Sequence, residues 1–186
     1  DVSGAIFNLA DNDEKIGALK GGGSSGGNVT LGSATLTTSP MAYSGWVSQS
    51  STYAGIISGT GALVKEGWAQ LTLTGQSTYS GGTTISTGYI KIGVNNALLN
   101  TGAVTFPGSA NATNLIIKNS FTQSIGNLSG ANTNAVIQVK GNLTVTQTNA
   151  GTFAGRISQT GTFTKAGSAA LTLSGAQNFG GTTAIN

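Results

Sequence analysis

Apolar and polar residues alternate along most of this chain. In Leu71-Thr72-Leu73-Thr74 the leucines share one face and the threonines the other. Ile90-Lys91-Ile92 and Asn28-Val29-Thr30-Leu31 follow the same rule, the period of two that marks a half-buried β-strand. Glycine, asparagine and serine punctuate these short runs, and no stretch carries an apolar stripe at helical spacing. The pattern predicts an all-β protein of short strands and tight turns.

The pattern also repeats at long range. Shifted by 100 residues, Ala54–Ser86 lies on Ala154–Asn186 without a gap, with 16 of 33 positions identical. Earlier in the chain the shift is 109: Ile16-Gly17-x-Leu19 falls on Ile125-Gly126-x-Leu128, and Thr35-Leu36 on Thr144-Val145. The difference between the shifts places an insert at Thr38–Ser51 of the first copy, opposite the shorter Gln147–Gly151. The chain is therefore read as one continuous unit over 1–186, with copy one at about 1–108 and a truncated copy two at about 109–186. The glycine-serine stretch Gly21–Gly27 reads as an enlarged turn, because Gly130–Asn134 occupies its place in copy two.

A unit this long divides into about five strand-turn blocks of roughly 20 residues, which fits the rungs of a parallel β-helix. The expected fold is a right-handed parallel β-helix (solenoid) of about 8–9 rungs, the hand following from the rule for parallel crossovers. Leu, Ile, Val and Phe should stack in interior columns, with glycines at crowded corners. Hairpin dipeptides between matched strands are scarce, which disfavours an antiparallel sandwich.

Composition narrows the function classes. Only 7% of the 186 residues are charged, against roughly 25% in ordinary globular domains. Cysteine and histidine are both absent, which removes the thiol nucleophile, the usual general base and the commonest metal ligands. The eight basic residues read as scattered, so neither nucleic-acid binding nor membrane insertion of this segment is expected. Of the five acids, Asp11, Asp13 and Glu14 cluster. They read best as a solvated turn before Ile16, ahead of weak calcium binding or a carboxylate pair for polysaccharide cleavage. No cofactor is expected.

The motif Gly59, Gly61, Leu63, Lys65, Gly67, Leu71, Leu73, Gly75, Tyr79, Gly81, Thr83, Ile85 resembles the passenger-associated repeat of bacterial autotransporters. Copy two matches it at Gly161, Phe163, Lys165, Gly167, Leu171, Leu173, Gly175, Phe179, Gly181, Thr183 and Ile185, with Gln159 in place of the first glycine. The resemblance implies a β-helical passenger exported to, or released from, the surface of a Gram-negative bacterium.

The expected role is a structural or adhesive segment, a rigid stalk or filament-like scaffold, rather than an enzyme. An adhesin recognising host or neighbouring-cell ligands through the 38–51 insert is the alternative. The residues for ligand contact would then be Tyr43 and Trp46 in the insert, with Trp68 and Tyr89 as further exposed aromatics. An enzyme acting on polysaccharide and an ice-binding threonine surface rank lower. Lys65 and Lys165, at matching places, suggest a structural job such as a lysine stem covering an apolar edge. Core alternation begins early, at Phe7 and Leu9. Both ends of the ladder are expected to meet other protein, either more of the same polypeptide or copies stacked end to end.

Overall fold

A computed structural model of the chain describes residues 4–23, 25–40, 50–109 and 111–186. Among them there is no helix, and 22 strands wind into a parallel β-solenoid. Each turn visits three faces in order. The second face is an unbroken eight-stranded sheet: Glu14–Ile16, Thr35–Thr38, Ala62–Lys65, Thr83–Ile85, Val104–Phe106, Leu128–Gly130, Gly151–Phe153 and Leu171–Leu173. The third face carries Ser51–Tyr53, Gln70–Leu73, Gly88–Ile92, Thr113–Ile117, Ala135–Val139, Arg156–Gln159 and Asn178–Phe179. Eight turns are present, and Thr182–Ile185 adds a rung on the first face.

The first face is interrupted. Strands Ile6–Asn8, Asn28–Thr30 and Ile57–Ser58 form its lower part, and Thr122–Ile125, Asn142–Thr146, Thr162–Ala166 and Thr182–Ile185 its upper part. Between them, in turns four and five, the ladder continues without regular strands. Thr78 N donates to Ile57 O at 2.8 Å, Ser77 N to Ala97 O at 3.0 Å, and Asn96 N to Thr122 O at 2.9 Å. The buried amide of Gln123 completes this stretch on the Leu98 backbone, with Leu98 N donating to Oε1 at 3.2 Å and Nε2 donating to Leu98 O at 3.0 Å.

The core is the set of inward alternate positions, as the pattern requires. Leu71, Ile90, Leu115, Ile137 and Ile157 stand one above another on the third face by register, each buried. Leu36 and Leu63 do the same on the second. One rung higher the column holds Thr83, whose hydroxyl meets the buried Tyr79 hydroxyl at 2.6 Å. Phe106 and Phe153 bring their ring centroids to 5.3 Å across the rung that holds Gly130. Every pair of strands among the described residues is parallel, which excludes the sandwich.

The expected alternation at Phe7 and Leu9 needs a correction. Leu9 is in the core, but Phe7 is 45% exposed. Its strand pairs with the turn-two strand Asn28–Thr30 on one side only, so no second rung covers the ring. Leu171 and Leu173 are half-buried in turn eight, where Leu71 and Leu73 are fully covered.

The two sequence copies do not stack in phase. Lys65 lies on the second face of turn three, and Lys165 on the first face of turn eight. That is an advance of four turns and two faces. Leu71 and Leu171 show the same displacement, from the third face of turn three to the second face of turn eight. So do Ile16 and Ile125, from the second face of turn one to the first of turn six. One sequence repeat thus falls a third of a turn short of five turns.

Candidate functional site

The repeated motif builds a corner of the coil. Lys65 ends the turn-three strand of the second face, at a position where the alternation points inward. Its side chain is fully buried, which corrects the expectation of a stem lying over an edge. The ammonium has three N–H groups and three carbonyl acceptors: Glu66 O, Gly67 O at 2.6 Å and Thr87 O at 3.3 Å. It ties the corner to the rung above. Burial lowers its pKa to about 8, with the Glu66 carboxylate pulling the other way. Lys165 repeats the contact to the carbonyl of Gly167 and is more exposed.

The glycines explain why the corner allows no other residue. Gly67 holds a φ of 69°, in the left-handed region that side chains rarely adopt. A Cβ there would also sit 2.3 Å from Pro40 O of the rung below. Gly167 repeats both features, with φ 80° and a Cβ position 2.5 Å from Gln147 O. Gly61 and Gly81 stack at the preceding corner, where a Cβ on Gly61 would lie 1.8 Å from Ala34 O. Gly59, Gly75, Gly161, Gly175 and Gly181 occupy equally tight positions against the rungs below. Gln159, the replacement for the first motif glycine, keeps the left-handed φ at 85°.

The aromatic candidates separate. Trp68 is 51% exposed at the corner between the second and third faces. A Cβ on Gly88, the residue before Tyr89, would lie 3.0 Å from the Trp68 carbonyl carbon. Tyr89 points outward on the third face, paired with Gln70, so these two aromatics border the same edge. Tyr43 and Trp46 fall within 41–49, outside the described residues.

Asp11 and Asp13 do more than face water. Asp11 Oδ1 accepts from Ser33 N at 2.6 Å and Ser33 Oγ at 3.0 Å, and Asp13 Oδ1 accepts from Thr35 N at 2.7 Å. The bond from the Ser33 backbone N–H, then that from its hydroxyl, hold the Asp11 carboxyl below its usual pKa. These carboxylates cap the rung above across a turn. Among the described residues no group of three or more Asp, Glu, His or Cys side chains converges in a way that would hold a metal ion.

The basic residues correct another expectation. They are scattered in sequence, yet Lys91, Lys118, Lys140 and Arg156 all fall on the third face in turns four to seven. Their spacings of 27, 22 and 16 residues become a cluster only once the length of each turn is known.

A parallel β-solenoid whose repeated residues build its corners and core is a repeat protein of the solenoid class. The repeat itself is assigned: the family model of the passenger-associated-transport-repeat matches residues 63–92 and 163–186. In these two stretches the chain carries the passenger-associated-transport-repeat. It is also 42% identical over 119 residues to the adhesin BmaC autotransporter of Brucella suis biovar 1 (strain 1330). That alignment covers 62% of this chain and 3% of the adhesin. No solved structure matches the chain.

Proposed function

We propose that this segment is a rigid spacer within the passenger of a surface-exposed autotransporter adhesin, holding other parts of that passenger at a distance from the cell. The observation that carries this reading is the Lys65 corner. The most strongly repeated residues of the chain spend their polar groups and small size on joining rungs to one another. The likeness to an autotransporter named as an adhesin supports the surface location, and the lack of histidine and cysteine supports a role other than catalysis. The apolar residues left exposed in the inward columns of the outermost rungs, Phe7 at 45% and Ile185 at 80%, support coverage by further protein. Either more rungs of the same polypeptide or stacked copies would serve.

The test is length. Duplicating residues 57–156 in tandem adds four turns and two faces, about 22 Å at ~4.8 Å per turn. Small-angle scattering should show the maximum dimension growing by that amount at constant cross-section. In the full passenger displayed on cells, a distal tag should move outward by the same step without loss of export. A tag that stays at its original height would overturn the spacer reading.

A further inference from the structure

We propose that the outer surface of the third face, from turn four to turn seven, is a binding groove for an acidic polysaccharide chain. This does not rest on the spacer reading, since a spacer need bind nothing along its side.

Residues 67–186 contain five basic residues and no acidic one. Four of the five stand on this single face. Lys91 points outward between the inward Ile90 and Ile92, and register carries its column onto Ile116 and then Gln138. Lys118 and Lys140 directly follow the paired Ile117 and Val139, so they stand one rung apart, about 4.8 Å between backbones. Arg156 is paired with Val136 in the next rung. Lys91, Lys118 and Lys140 line one groove of about 480 Å³ together with Ile116 and Gln138. Gln138 is shared with a neighbouring groove of about 490 Å³ that Arg156 lines.

Like charges in adjacent rungs repel, and this stretch of the chain has no acidic side chain to offset them. The acids lie elsewhere: Glu66 pairs with Lys15 at 2.6 Å, and Asp11 and Asp13 are engaged by backbone N–H groups. Lys118 has the Phe121 ring 5.8 Å from its ammonium, but no acidic side chain of residues 67–186 neutralises this face, so a polyanion from outside would find it unpaired with acid. A single small anion reaches too little of it, because the four cations cover three rung steps, about 14 Å along the axis. A chain carrying one carboxylate or sulfate every sugar or two can engage them together. Gln138, which lines both grooves, offers a donor and an acceptor to sugar hydroxyls, and Tyr89, one rung below the groove-lining Asn114, adds an outward ring beside them. Nucleic acid fits less well. Single strands bind on successive aromatic platforms, and among the described residues these rungs of the third face present one outward aromatic, Tyr89.

The test is direct binding by the 186-residue chain to polygalacturonate, dextran sulfate, neutral dextran and a single-stranded oligonucleotide. The first two are expected to bind, more weakly as salt rises, and neutral dextran is not. Comparing the two acidic glycans tells whether carboxylate or sulfate is preferred. The triple variant K91Q/K118Q/K140Q should lose at least tenfold in affinity while keeping the β-sheet spectrum, and K15Q should bind as the parent does. If the triple variant does not fold, the single change K140E at an exposed position should still weaken binding several-fold. Unchanged binding in the substituted chains, equal binding of neutral dextran, or tighter binding of the oligonucleotide than of either acidic glycan would overturn the proposal.

Discussion

The side-chain amide of Gln123 makes the paired hydrogen bonds to Leu98 that a neighbouring strand would otherwise make: Leu98 N donates to Oε1 at 3.2 Å, and Nε2 donates to Leu98 O at 3.0 Å. Gln147 does the same on Leu128, at 3.0 and 3.2 Å. Both glutamines are fully buried. They show how the solenoid carries its ladder through places where the backbone leaves the strand path, since a buried peptide group without a partner is costly.

Replacing Gln123 by Leu should therefore leave the Leu98 N–H and C=O unpaired in the core. Each orphaned group costs about 1–3 kcal/mol, so the variant should lose roughly 2–6 kcal/mol in all. Hydrogen exchange at Leu98 should accelerate before that of distant rungs. Glu at the same position should also destabilise, because a carboxylate cannot donate to Leu98 O. A Gln123→Leu chain with unchanged unfolding midpoint and Leu98 protection would refute this.

Lys65 predicts an unusual pH dependence. Its folded pKa is about 8 and its ordinary value 10.5, so between these values the unfolded chain binds more protons than the folded one. Stability must then rise with pH across that window, by about 3 kcal/mol at most. Above pH 10 the trend reverses, because burial pushes Tyr53 up to about 12 and Tyr79 higher still, and only the unfolded chain ionises them readily. The unfolding midpoint should peak near pH 10. Lys65→Met should lack the rise between pH 8 and 10; a rise that persists in that variant would assign it to another group.

Two glycines of similar appearance in the sequence should behave differently. Gly67→Ala forces a left-handed φ on a side chain and drives its Cβ against Pro40 O, and should cost more than about 2 kcal/mol. Gly17→Ala meets nothing within 4 Å and has no positive φ, so it should stay within about 0.5 kcal/mol of the parent. Thermal midpoints of the two variants decide the matter, and equal losses would show that close packing at the Gly67 corner is not the cause.

Gln159 offers the converse experiment. It holds a φ of 85° at an exposed position where copy one has Gly59. Gln159→Gly removes that strain and should stabilise the chain by about 1 kcal/mol, net of glycine's greater unfolded freedom. A loss of stability would mean that the glutamine side chain contributes more than its backbone costs.

Much of this architecture is legible in the residues. Period-two runs such as Leu71–Thr74 and the matched glycines identify strands and corners, because alternation and close approach leave few residue choices. The fate of Lys65 is not legible. A lysine that follows Leu63 and Val64 reads as a stem laid over an apolar edge with its ammonium in water, and only the three carbonyls that converge on it make burial tolerable. The cationic third face is hidden for a different reason. Turns here vary in length, so Lys118 and Lys140 are neighbours at a separation of 22 residues while Lys165, 25 beyond Lys140, lies on another face. The interrupted first face is equally silent, since side chains such as Gln123 stand in for backbone pairs that no propensity scale counts.

The offset between the two copies shapes any longer rod built from this unit. Each repeat advances four turns and two faces, so the same residue points a third of a revolution away from its predecessor. Three repeats, fourteen turns or about 67 Å at ~4.8 Å per turn, are needed before it faces the original direction. Such a rod is a screw rather than a ruler. Loops and side chains placed at one motif position, Trp68 and its counterpart Ser168 among them, wind around the shaft. A partner arriving from any side would meet one of them, and neighbouring insertions at that position would never crowd each other.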